Sequence, residues 1–405
     1  MWTDSLGNEV TLESEASLGG LNDFVVGFIA CEARAINVLD RATLDTSPMV
    51  QACAAAVHMF AETRDAPANA RPFMDRALAA QRRCTPREQR FIEAVSAWVE
   101  GDIQRAIDLH QEQAREYPRD LASIKLGHYH LFNIGNSPDM LRMALAALPA
   151  AGDVPYLYGM LAFAWEQCHE LEQAEAAARK GIAMCRKEPW AHHALAHVML
   201  TQGRIDEGHA FMADVSDTWT GLNSFMVTHN WWHQALFALA MDRHAEVLNL
   251  YDNRVWGVAK DYSQDQINAI SLLARLELVG VDVGNRWQDL GNYLAPRVHD
   301  HVLPFLDMQY LYGLARAGRD EADILMRNIE THAASLTGPS ADAWQSVCLP
   351  ASRGLLAHAR SDFHRAADEL GRALPRLVEI GGSHAQRDLF TQVHRHALAR
   401  SGRLS

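Results

Sequence analysis

Two pairs of histidines stand at a spacing that chemistry can use. His193 and His197 lie in Glu188-Pro-Trp-Ala-His-His-Ala-Leu-Ala-His197, and His229 and His233 lie in His229-Asn-Trp-Trp-His233. Each pair is four residues apart, so on a helix both imidazoles leave one face, one turn from each other. The pairs are offset by thirty-six positions, close to one helical-hairpin repeat, which would let them face each other across adjacent helices. Imidazoles gathered this way either bind a divalent metal through neutral ring nitrogens or move protons near neutral pH.

A repeat supplies the helices that must hold them. Turn signals at Gly101-Asp102, Gly135-Asn136, His169-Glu170 and Gly203-Arg204 recur every thirty-four residues. Small residues follow three of these turns, at Ala106, Ala174 and Gly208, where the two helices of a hairpin approach closely. Thirty-four is the tetratricopeptide period. Beyond Gly208 the signal drifts, with turns at Met241-Asp-Arg-His-Ala245, Ala317-Gly-Arg-Asp-Glu-Ala322 and Arg360-Ser-Asp-Phe-His-Arg-Ala366. No stretch alternates as a strand does. The expected fold is all-α: a tetratricopeptide-like superhelix of helical hairpins, or α-solenoid, over 1–405 as one domain, with its clearest repeats in 85–220. Segments near Thr63–Arg71, Asp252–Asp265 and Leu336–Ala341 read as loops, and Leu21–Leu39 as a helix interrupted by charges. His128, Glu166 and all four doublet histidines fall in the first helix of a hairpin, the helix that lines the concave face of such a stack. Glu166 and Leu200 occupy equivalent positions one repeat apart.

Composition narrows the partners. The chain has 405 residues, 48% apolar and 21% charged, enough to bury a large core. A net charge of −13 without a basic run argues against nucleic acid. The six cysteines form no Cys-x-x-Cys pair and read as reduced thiols of a cytoplasmic protein, and no segment reads as a signal peptide or membrane span. Twenty histidines are an enrichment, and they concentrate in helical segments.

Longer motifs carry a resemblance. Thr85-Pro-Arg-Glu-Gln89, Trp190-Ala-His-His-Ala-Leu-Ala-His-Val198, His229-Asn-Trp-Trp-His-Gln-Ala-Leu236, Asn285-Arg-Trp-Gln-Asp289 and Ile380-Gly-Gly-Ser-His-Ala-Gln-Arg-Asp-Leu-Phe390 resemble the tetratricopeptide repeat protein 38 family along essentially the whole chain. The resemblance implies an all-helical superhelix and retention of that family's recurrent polar residues at His128, Glu166, His193, His197, His229, His233, Asp307, Arg387 and Asp388. It implies no single activity. The chain departs from the pattern at Leu200 and Gln309, where relatives tend to carry glutamate and histidine, and at His384, where they tend to carry asparagine.

On this reading a pocket gathers polar residues from repeats distant in sequence. His193, His197, His229, His233, Asp307 and His384 are candidates for proton transfer. His128, Glu166, Trp232, Arg387 and Asp388 would contact a small polar or carboxylate-bearing ligand, with Arg387 gripping the anion through its planar fork. His384 would be oriented by Asp388, and Trp190 and Trp231 would help to wall the pocket. No His-Glu-x-x-His motif is present, and Leu200 and Gln309 reduce the ligand supply, so no metal or other cofactor is expected. The alternative is a repeat scaffold that binds a peptide or partner protein in its groove. The residues leave enzyme status open, and a homo-oligomer too.

Overall fold

Every turn signal read from the sequence falls on a left-handed backbone. Gly101, Gly135, His169, Gly203, Asp242, Gly318 and Ser361 have φ between +56° and +82°. Such residues end one helix and turn the chain into the next. Gly280, at φ +84°, is one more turn of this kind that the sequence reading passes over.

The structure, a computed structural model, describes residues 2–403. Its contacts group the chain into two compact units, one running to Asn230 and the other beginning at Trp231, with segments 62–64 and 133–135 counted with the second. No sequence signal marks that division.

The first unit opens with a feature too short to show alternation, Trp2–Thr3 (β1) paired antiparallel with Glu9–Val10 (β2). Helices α1 (Glu15–Ile29), α2 (Asn37–Ala42), α3 (Pro48–Met59) and α4 (Ala66–Ala80) follow. The apolar run Leu21–Leu39 is therefore not one helix: Cys31 turns left-handed at φ +56°, and Glu32 bridges to Leu222. The loop expected over Thr63–Arg71 is helical from Ala66 on, because Pro67 sits in the first turn, where no backbone N–H is needed.

Four regular hairpins come next: α5 (Pro86–Val99) with α6 (Ile103–Glu116), α7 (Leu121–Asn133) with α8 (Ser137–Ala151), α9 (Pro155–Gln167) with α10 (Leu171–Met184), and α11 (Pro189–Thr201) with α12 (Ile205–Val215). The first helices are buried on almost every side, as α9 and α11 show, while α10 and α12 bury only three residues each. Ala106, Ala174 and Gly208 are among the buried ones, as the repeat pattern requires. Helix α13 (Ser224–Ala240) continues across the division, and α14 (His244–Leu250) follows it.

The second unit holds α15 (Ser263–Leu278) with α16 (Arg286–Leu294), α17 (Pro304–Arg316) with α18 (Glu321–Ser335), the single turn α19 (Pro339–Asp342), and α20 (Leu349–Ala359) with α21 (Phe363–Ala373). The last helix, α22 (His384–Arg400), packs on α21 and also returns to α15. Among the described residues no helix is long and apolar enough to cross a membrane.

Candidate functional site

Helix α11 is fixed before its histidines are. Pro189 opens it, and the Glu188 side chain caps it by accepting the Ala191 backbone N–H. Burial pushes the Glu188 carboxyl up to about 8, so this cap is a neutral acid at neutral pH. With the helix buried all round, His193 and His197 have nowhere to go but the interior.

There the imidazoles meet. The Nε2 atoms of His193 and His197 are 3.0 Å apart, and His229 Nε2 from α13 comes within 3.2 Å of the same His193 Nε2. Asn230, next along α13, donates to the Pro189 carbonyl at 3.4 Å and so holds α13 to the start of α11. His233 follows one helical turn after His229, and one ring nitrogen from each of the four histidines lies within 4.8 Å of all the others. The spacing argument therefore places both doublets together.

Helix α9 contributes the carboxylate. Glu166 is fully buried, with Oε1 3.6 Å from His197 Nδ1, and its Oε2 accepts from Gln167 Nε2 at 2.5 Å. Aromatic rings close around the cluster. Trp190 and Phe163 lie 4.7 and 5.1 Å from the His193 ring, and Phe225 stacks on His229 at 5.1 Å. The sequence reading named Trp190 but not Phe163 or Phe225. Each phenylalanine stands three or four positions before a site residue, a helical spacing that would have found it. Burial drives His193 well below the ordinary imidazole value, and His197 and His229 push it further, so it is neutral at physiological pH.

Two nearby histidines have ordinary structural work. His192 Nδ1 accepts from Trp219 Nε1 at 3.2 Å. His128, expected at the ligand, hydrogen-bonds the backbone of Met140 in its own hairpin, and burial lowers it to about 4.

The remaining candidates belong to the second unit. Asp307 is fully buried and orients an imidazole, but the one it orients is His301, whose Nδ1 is 2.6 Å from Asp307 Oδ2. Burial pushes Asp307 up to about 6 despite that bond. At the start of α22, Ser383 and Gln386 form a capping box, so Gly381-Gly-Ser383 is a helix entry. Arg387 donates to the Gly382 carbonyl, and its Nη2 is 3.3 Å from His384 Nδ1. The partner found at His384 Nδ1 is thus Arg387, whereas Asp388 accepts from Gln392 at 2.5 Å. Trp231 covers Arg254 at 5.0 Å.

Arg275 on α15 was not foreseen. It is 2% exposed, and its nearest carboxylate, Asp388, is 4.0 Å away and half-exposed. Its guanidinium donates to Ser271 and, at 2.6 Å, to the Ala385 carbonyl of α22, and it lies 5.6 Å from the fully buried Trp232 ring. The signal was present: Arg275 is the one charge in the otherwise uncharged run Ile270-Ser-Leu-Leu-Ala-Arg-Leu276. Other buried arginines are paired tightly, Arg87 to Asp120 at 2.6 Å and Arg297 to Asp300 at 3.1 Å.

No family model matches the chain. A solved structure described as Naa15/Naa10 bound to HypK-THB is similar over 96% of this chain, at 11% identity and a TM-score of 0.28. The match covers 61% of that chain, so this one spans less than two thirds of its length.

Proposed function

We propose that this protein is a helical-repeat protein of the tetratricopeptide repeat protein 38 type that binds a small carboxylate-bearing molecule through Arg275 and Arg387. The observation that carries this reading is Arg275. Removing a guanidinium from water costs several kcal/mol unless a matching anion faces it. Burial lowers Arg275 only to about 10, so it stays cationic at neutral pH, and among the described residues no carboxylate is closer than 4.0 Å. A carboxylate brought by a ligand supplies the missing charge and accepts two parallel N–H bonds. Arg387 and His384 add donors at the N-terminal end of α22, whose Ala385 carbonyl already fixes Arg275. All six cysteines are free thiols, which agrees with a cytoplasmic setting.

The test uses succinate and citrate as probes, with succinamide as the neutral control, read by calorimetry and thermal shift. Binding of the acids and not the amide, lost in Arg275→Met and weakened in Arg387→Met, supports the reading. Equal behaviour of wild type and Arg275→Met overturns it. Arg275→Met keeps the length of the side chain and removes a buried charge, so the fold is expected to survive. A peptide or protein captured in place of the acids favours the scaffold alternative.

A further inference from the structure

We propose that His193, His197, His229 and His233 form a closed, four-nitrogen site for a divalent transition metal of the zinc class, with Glu166 orienting His197 from behind. This inference stands apart from the carboxylate reading and uses none of its arginines.

An imidazole Nε2 has one in-plane direction, filled by either a proton or a lone pair. His193 Nε2 has two ring nitrogens near it, His197 Nε2 at 3.0 Å and His229 Nε2 at 3.2 Å. One direction cannot point well at two partners, so a proton on that atom serves one contact and leaves the other poor. A cation at the shared focus of the lone pairs serves all of them.

The distances agree with a metal. Four nitrogens placed about 2.0–2.1 Å from a tetrahedral zinc stand roughly 3.3 Å from one another. The 3.0 and 3.2 Å separations lie near that edge, and the full set, spread over 4.8 Å, would draw in on the ion, since two ligands of one zinc stand at most about 4.2 Å apart. Metal ligands must be neutral imidazoles, and burial already holds His193 in that form.

The surroundings add a second, independent observation. Metal-binding histidines usually direct their other nitrogen to a carboxylate, which fixes the ring and raises its basicity. Glu166 Oε1 lies 3.6 Å from His197 Nδ1, the nitrogen that Nε2 ligation would leave facing outwards. Ionised beside the metal, it would offset half of a divalent cation in a region lined by Trp190, Phe163 and Phe225. All four imidazoles are buried, and four ring nitrogens would fill a tetrahedral shell. A closed set of this kind is structural, and it would tie α11 to α13. Imidazole nitrogens without thiolate or added carboxylate ligands suit zinc, copper, iron or nickel rather than magnesium or calcium.

The test takes the full chain without a histidine tag, purified after growth with zinc or with cobalt. The expected result is one equivalent of metal per chain by elemental analysis, and the intense visible bands of tetrahedral cobalt. Glu166→Gln should weaken zinc about 10- to 100-fold in a chelator competition. The double variant His197→Gln/His229→Gln should lose the metal altogether. Should that variant fail to fold, the wild-type cobalt spectrum decides, because an octahedral or featureless spectrum overturns the site. Metal-free wild type that takes up neither ion, or full metal retention in a folded double variant, overturns it too. Carboxylate binding lost through Arg275→Met with metal content unchanged shows the two proposals to be separate.

Discussion

Two regions of this molecule set imidazole nitrogen against imidazole nitrogen, and they solve the problem differently. In the second unit, Tyr312, His358 and His396 form a line. The tyrosine hydroxyl is 3.1 Å from His358 Nδ1, and His358 Nε2 is 2.9 Å from His396 Nδ1. Each nitrogen of His358 has one partner, so a neutral ring protonated on Nε2 satisfies both ends. Around His193 the arrangement is a star, with two neighbouring rings approaching one nitrogen. A line is complete with protons alone, whereas a star asks for a group that can be shared. The difference lies in the geometry, because His193 and His358 are both buried and burial lowers both.

The largest effect that would sharpen this contrast is removal of metal. With free zinc a thousandfold above the dissociation constant, binding favours the folded chain by about 4 kcal/mol. A strong chelator should therefore lower the thermal midpoint of the wild-type protein, and added zinc should restore it. An unchanged midpoint with and without chelator would make the star an ordinary packed cluster.

The line should answer to a different change. His358→Phe keeps the ring and strands the Tyr312 hydroxyl, at a cost of about 2 kcal/mol. That loss should be the same with chelator present or absent, as denaturant titrations in both conditions would show. A chelator-dependent loss would break the comparison.

The smallest effect concerns acid. Burial and, after it, His396 hold His358 down to about 3, while the unfolded residue titrates near 6.5. Between those values the unfolded chain takes up a proton that the folded chain refuses, so stability falls as pH drops. His358 contributes about 1 kcal/mol of this loss over the first pH unit below about 6.5. Comparing wild type with His358→Phe by denaturation at the two ends of that interval isolates the share. Equal slopes would show that folded His358 takes up its proton as readily as the unfolded residue, so that burial does not hold the line uncharged.

How much of this was legible depends on whether the cause is local. The left-handed turns at Gly101, Gly135, His169 and Gly203 and the two doublets could be read because helix period and repeat period are properties of the chain itself. Their product, four ring nitrogens together, follows from arithmetic on residue numbers. Glu166 was placed correctly in a first helix, but its contact with His197 depends on how α9 leans on α11. Asp307 was named as a proton-transfer candidate, yet nothing near it in sequence singles out His301 as the imidazole it holds. His128 bonds to Met140 for the same reason, since a backbone group leaves no trace in composition. The β1–β2 pair is too short for any period to show. Arg275 belongs to no motif, and its only trace in the sequence is a lone charge in an apolar stretch of helix.

Gly382 shows how a site residue can depend on an atom that is missing. Its backbone is left-handed at φ +78°, and a Cβ there would collide with the Phe305 ring. Phe305 in turn packs edge-on against Phe390 of α22, 6.0 Å between centroids. Any side chain at 382 must both leave its preferred backbone region and evict an aromatic ring that supports the helix bearing Arg387. A single replacement is therefore blocked twice, and shrinking position 305 in step would lift only the steric block. Over evolutionary time the two positions should drift as a pair, while Asp388, half-exposed on the same helix as Arg387, is bound by no such clash.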